Sequence, residues 1–199
     1  EGTELLLERA GGATSATARR QDAEQAAAER ERVRRRVEEL DIEADMGPLF
    51  ELGYIKLMVD GVLSTYTALM NEPYSDNPDA HPEPFIGRDE LSAMVGAAHD
   101  NGFPVAVHAI GDRAVSWVLD AVAANPRPSG SLPDRIEHIE VVTPEDVSRF
   151  ARLGVVASMQ PHHATCCVGN YVIDRIGRER LPNAYVWRAM LDNDVPLVL

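Results

Sequence analysis

Cysteine is scarce in this chain. The two present, Cys166 and Cys167, are adjacent, so they cannot supply the spaced pairs of a disulfide framework. A bond between neighbours would be strained, and both thiols are expected to be free. Basic residues are outnumbered, 19 against 32, for a net charge of −13. Nucleic acid and anionic membranes both demand clustered Lys and Arg, so neither is expected as a partner. Aromatic residues make up only 6% of the chain. No apolar run approaches the roughly 18 residues of a membrane span. The opening Glu1-Gly2-Thr3-Glu4 has no basic stretch followed by an apolar one, so no secretory signal is expected and the cytoplasm is the default compartment. No GxGxxG or GxxxxGK[ST] fingerprint follows a strand-like run, which weakens a nucleotide-binding sheet.

What is present fits a globular chain, with 45% apolar and 26% charged residues. At 199 residues it has material for one domain or a little more. Residues 1–53 differ from the rest. After Leu5-Leu6-Leu7 and a run of small residues, Gln21 to Ala44 is dense in Ala, Glu and Arg, a helical composition. Its apolar positions, Val33, Val37 and Leu40, make one narrow stripe. A solvated surface helix and a partner helix for association both fit it.

From Tyr54 onward, strand and helix patterns alternate. Tyr54–Val59, Pro104–His108, Arg135–Glu140, Val155–Gln160 and Pro196–Leu199 read as strands. Arg88–Asn101, Asp112–Ala124, the stretch from Thr143 to Gly154, and Asn183–Asn193 read as helices. Thr143-Pro144-Glu145-Asp146 has the N-cap, first-turn Pro and acids of a helix start. Such alternation implies a parallel sheet with crossover helices, either doubly wound or closed into a barrel.

Polar residues in the strands point to chemistry. Lys56 lies inside Tyr54-Ile55-Lys56-Leu57-Met58-Val59-Asp60. His108 closes Val105-Ala106-Val107-His108, and His138 holds the equivalent place in Arg135-Ile136-Glu137-His138. Alternation puts His108 with Ala106 and His138 with Ile136. Glu137 then faces away from His138 and reads as a packing or ligand-supporting residue. Both imidazoles fall at carboxyl strand ends, where parallel α/β folds build their sites. Two neutral imidazoles suit zinc or a similar divalent ion. A buried Lys loses solvation unless it is paired or modified, so Lys56 is not expected to be mere filling.

The stretches from Tyr54 to Gly61, His108-Ala109-Ile110-Gly111-Asp112-Arg113-Ala114, Arg135 to His138 and Ala157-Ser158-Met159-Gln160-Pro161 occur in that order, followed by Arg178-Glu179-Arg180 and Ala184 to Arg188. Together they resemble amidohydrolase family 3 of the metal-dependent hydrolases, in the branch that includes N-substituted formamide deformylases. The likeness covers about residues 50–199. It implies an α/β fold, a partial (β/α)8 TIM barrel of metal-dependent hydrolase type, with residues 54–199 supplying approximately strands four to eight behind the charged helical segment 1–53. It implies His108 and His138 as metal ligands from strands five and six, and Lys56 as a catalytic and metal-bridging residue from strand four. The cofactor would be one or two divalent ions, expected to be zinc. Asp112 would act in catalysis, although an N-cap role for it stays open. Asp60, Arg113, Gln160 and His162 would lie near substrate, with His163 as the alternative to its neighbour. His162-His163-Ala164-Thr165-Cys166-Cys167 matches no structural zinc spacing and is read as a loop after strand seven.

Departures from the family accompany the matches. It carries a His-x-His pair at strand one and an Asp at strand eight. The first His here is His81, and the chain stops at Leu199. Against a barrel of about 250 residues, the expectation is an incomplete part of a longer enzyme. The reaction expected is hydrolysis of carbon–nitrogen bonds in a small amide-type substrate. The alternative is a non-catalytic α/β association module, with a homo-oligomer as one form. His81, in a Pro-rich loop, and His99 are expected to face solvent, and the long loop from Asp60 to Gly87 to form part of a lid.

Overall fold

A computed structural model describes Arg35, residues 53–165 and residues 171–199. Apart from Arg35, where the backbone is helical, and Gly53, the segment 1–53 that is expected to carry the charged helix lies outside the described residues, as do Cys166 and Cys167. Five strands form one sheet: β1 (Ile55–Met58), β2 (Val105–Ala109), β3 (Arg135–His138), β4 (Val156–Ser158) and β5 (Leu197–Val198). Every pairing is parallel, and the spatial order is the chain order. The connecting helices are α1 (Arg88–Asp100), α2 (Asp112–Ala124), α3 (Pro144–Leu153), α4 (Pro161–Thr165), α5 (Tyr171–Ile176) and α6 (Trp187–Asp192). α1 packs on α2, α2 on α3 and α3 on α6, so the helix layer follows the strands in step. A doubly wound sheet must reverse direction at a switch point, whereas uninterrupted winding of this kind builds the barrel. The fold is therefore α/β with a parallel sheet wound as in part of a TIM barrel.

Register sorts the strand residues into two faces. Leu57, Val105, Val107, Ile136 and Ala157 are buried beneath the helices and form the main core with Leu91, Val95, Val115, Leu119, Val147 and Phe150. The opposite face carries the rows Lys56, Ala106, Arg135, Val156 and Met58, His108, Glu137, Ser158, Val198. That face is open at its margins, with Met58 45% and Val198 50% exposed. Lys56, expected to be buried within its strand, stands exposed there.

Local signals are realised where the sequence placed them. α3 starts at Thr143, whose side chain accepts from Asp146 N at 3.2 Å, with Pro144 at the first position. It ends on Gly154 at φ +64°, a left-handed cap that favours glycine. His99 corrects the expectation of a solvent-facing ring, because it is 3% exposed. Its Nδ1 donates to Asn125 O at 2.6 Å and its Nε2 meets Asp134 Oδ1 at 3.0 Å. The start of β3 brings a buried carboxylate to α1 that α1's own periodicity could not reveal.

A second, smaller core sits at the carboxyl edge of the sheet. Leu63, Ala68, Met70 and Tyr74 from the loop after β1 pack with Ile110, Val141 and Ile176. Partly buried Tyr171, Val172, Leu181 and Ala184 complete it. The long loop after β1 is thus a packed structure in its own right.

Candidate metal centre and its surroundings

His108 and His138 come together at the ends of β2 and β3. Their ring centroids are 4.6 Å apart at an interplanar angle of 65°. Strict alternation would have sent His138 to the helix side with Ile136. Instead His138 has φ +80° and Ile139 φ +50°, a left-handed pair that turns the imidazole back onto the open face. Such conformations are costly for non-glycine residues and persist only where surrounding structure holds them. Glu137, expected on the face opposite His138 as a packing or ligand-supporting residue, lies in His108's own row, with Oε1 2.5 Å from Arg135 Nε.

Each ring has one nitrogen committed. His108 Nε2–H donates to Gly61 O at 2.9 Å, and His138 Nδ1–H donates to Gln160 Oε1 at 2.6 Å. A backbone carbonyl and an amide oxygen can only accept, so the tautomers are fixed. His108 Nδ1 and His138 Nε2 keep their lone pairs. Metal-binding histidines are held in this way, with the outer N–H given to a carbonyl oxygen. Burial lowers the His138 pKa, and the nearby His108, His163 and Lys56 lower it further against the pull of Gln160. A neutral, ligand-ready ring is the result. The donor chemistry fits two ligands of a divalent ion. Among the described residues, no group of three or more His, Cys, Asp or Glu side chains is arranged to hold one.

Lys56 shares this face one row below His108. Partial burial lowers its pKa, Glu137 raises it and Arg135 lowers it. Gln160, expected against substrate, is the residue that orients His138. His162 is exposed on α4, while His163 turns inward. The His163 ring stacks on His138, 5.3 Å between centroids at 11°, and its Nδ1–H donates to Glu140 Oε1 at 3.1 Å. Burial holds the Glu140 carboxyl above the usual range, with His163 pulling it down. Tyr185, at φ +48°, donates its N–H to Glu140 O at 3.0 Å. Glu140 and Tyr185 were not singled out from the sequence. An acid within Ile139-Glu140-Val141-Val142 is the same signal that marked Lys56.

Asp60 is fully buried. Its Oδ2 accepts from Leu69 N and Gly111 N, both at 2.9 Å, and its Oδ1 from Ile110 N at 3.0 Å. Burial pushes its carboxyl up while those backbone donors and His108 pull it down. From this position it joins the loops after β1 and β2. A Cβ on Gly111 would lie 2.0 Å from Leu69 O, so the junction requires glycine. Asp112 is not the N-cap of α2, which is Gly111. Its Oδ1 instead accepts from Asn71 N at 2.8 Å and Arg113 N at 2.9 Å. Arg113 Nη2 donates to Asn71 O at 3.0 Å, so the two side chains grip both polar groups of one peptide residue. Arg113, Asn71, Glu72, Tyr74 and exposed His81 line a cavity of about 280 Å³.

The amidohydrolase family model matches residues 4–199. YtcJ of Bacillus subtilis, an amidohydrolase by name, is 35% identical over 149 residues, 75% of this chain and 28% of YtcJ. The protein LONG AFTER FAR-RED 3 of Arabidopsis thaliana is 32% identical over 167 residues, 80% of this chain and 28% of that protein. The crystal structure of an uncharacterized metal-dependent hydrolase from Pyrococcus furiosus matches with a TM-score of 0.68 at 34% identity, over 80% of this chain and 34% of that one. The chain spans 28% of the length of these two curated relatives.

Proposed function

The chain belongs to the amidohydrolase family, and we propose that it contributes one wall of the active site of a metal-dependent hydrolase acting on carbon–nitrogen bonds such as amides or formamides. The observation that carries this reading is the His108–His138 pair, each ring with its outer N–H donated to a carbonyl oxygen and its inner lone pair free. These two rings would hold the divalent ion, with zinc the expected occupant of an imidazole site. When bound, such an ion polarises a carbonyl and lowers the pKa of water. Lys56 supplies positive charge on the same face. Gln160 orients His138, Asp60 anchors the loops beside His108, and Asp112 with Arg113 shapes the cavity a small substrate would meet. His163 takes the substrate-side place first given to His162.

Zinc titration of the chain, followed by hydrolysis of a panel of N-formyl and N-acyl amines, tests the reading. Zinc binding that vanishes in the H108A/H138A double variant supports it. Retention of full binding by that variant overturns it.

A second reading is favoured by the open sheet face, where Met58 and Val198 are 45% and 50% exposed. On it, the 199-residue chain is an association module that self-associates through this face, without turnover of its own. Sedimentation velocity separates the two: a monodisperse monomer at micromolar concentration removes the second. Among the described residues no helix is long and apolar enough to cross a membrane.

A further inference from the structure

Two arginines stitch the loop after β1 to the segment after β4. Arg175, on α5, donates from Nε and Nη2 to Ser64 O at 3.3 and 3.0 Å. It also pairs with Asp76 through Nη1 and lies 3.9 Å over the Tyr66 ring. Its carbonyl accepts from Ser75 N at 2.8 Å. Arg180 donates from Nη2 to Pro73 O at 2.8 Å and Ser75 Oγ at 3.0 Å, and from Nη1 to Glu72 O at 3.3 Å. Gly177, between them at φ +74°, passes so near that a Cβ there would lie 2.8 Å from Ser75 Oγ. Beneath these bonds lies the small second core, which the same two segments share with Ile110 and Val141.

The stitching reaches the site. Ser64 is in the tip of a tight turn whose base is closed by Gly61 N donating to Thr67 O at 2.9 Å and Thr67 N to Val62 O at 3.2 Å. Gly61 O, at that base, is the acceptor that fixes His108 Nε2. A Cβ at Gly61 would lie 2.2 Å from Thr67 Oγ1, so the turn has little room to adjust.

We propose that Arg175 and Arg180 are positioning residues that fuse residues 61–76 and 171–183 into one cap, and that this cap, through Gly61, holds the His108 imidazole in its Nε2–H tautomer. The proposal is independent of which bond the site cleaves. A cap built this way opens as a cooperative unit, because its small core and its arginine bonds are lost together.

Amide hydrogen exchange and imidazole nitrogen NMR on the full chain at one fixed pH test it. In R180A the amides of Gly61, Thr67, Ser75 and Gly177 are expected to exchange at least tenfold faster as one group, with those of β2 and α2 unchanged. The His108 ring signals are expected to shift from a single tautomer toward a mixture. R180K, which keeps a donor near the Pro73 carbonyl, is expected to restore part of both effects. Faster exchange confined to residues beside position 180, or an unchanged His108 tautomer, overturns the proposal. Should R180A fail to fold, S75A removes one of the bonds, and the same joint acceleration, smaller in size, is expected. Unchanged exchange in S75A then counts against the cap.

Discussion

The His138 ring meets the His108 ring edge-on, with centroids 4.6 Å apart, although the two residues are one position out of register across β2 and β3. His108 pairs with Glu137, while His138 pairs with Ala109. The positive φ of His138 makes up the difference, so the pair exists through a local break in the strand.

Removing either ring is expected to abolish most zinc affinity, because each supplies one of the two lone pairs that the pair turns onto the open face. H138A and H108A should each weaken zinc binding by more than about a hundredfold, beyond the usual cost of losing a supporting residue. Competition with a chromophoric chelator measures this. Equal affinity in wild type and H138A removes His138 from the site.

Gln160 carries a different expectation. Its amide oxygen accepts from His138 Nδ1 at 2.6 Å, so it sets the tautomer and adds basicity to Nε2. Q160A should weaken zinc binding by about 10- to 100-fold without changing stoichiometry. Q160E, which keeps the acceptor, should bind nearly as well as wild type. Loss of stoichiometry in Q160A would make Gln160 a ligand instead.

Stability should respond to pH through His138. Its folded pKa is lowered from the ordinary 6.5, chiefly by burial, so the unfolded chain binds this proton more readily. The neutral ring's contribution is fully present above pH 6.5 and is lost as pH falls from there toward the folded value, with a limiting slope of about 1.4 kcal/mol per pH unit. Urea midpoints between pH 5 and 8 for the metal-free chain should decline on the acid side of 6.5. H138Q should flatten that decline, and the difference between the two profiles isolates this imidazole. Identical profiles show that His138 has the same proton affinity folded and unfolded.

Much of this architecture was legible because the signals were local. Thr143-Pro144 and Gly154 bracket α3 with groups that act within a turn of themselves. β1 to β5 follow from apolar runs that strand burial demands. The histidine pair was found at strand ends, yet through an alternation that His138 does not obey, since a left-handed φ leaves no mark on the residue type. Gln160 and His163 were placed near the site by family likeness, while their partnerships with His138 depend on how the chain after β4 returns across β3. Glu140 and His99 needed the same long-range information. Their partners, His163 and Asp134, are 23 and 35 residues away, beyond what periodicity encodes.

The sharpest test of the loop junction is a single methyl group. Gly111 N donates to Asp60 Oδ2 at 2.9 Å, and its α-carbon passes so close to Leu69 that an added Cβ would lie 2.0 Å from the carbonyl oxygen and 2.9 Å from the amide nitrogen. Backbone atoms on both sides cannot swing away like a flexible side chain. G111A must therefore push the β1 loop off α2, lengthening the Asp60 bonds to Leu69 N and Gly111 N and leaving a fully buried carboxylate short of donors. Overpacking typically costs about 1–3 kcal/mol, and an unsatisfied buried acceptor about 1–3 more. A loss of about 3 kcal/mol or more in urea denaturation is expected. Because Gly61 follows Asp60 directly, His108 should lose its carbonyl acceptor in the same variant. G87A is the control, with nothing within 4 Å of the new Cβ. If G111A matches G87A in stability, Asp60 and Leu69 do not form the rigid junction that the geometry describes.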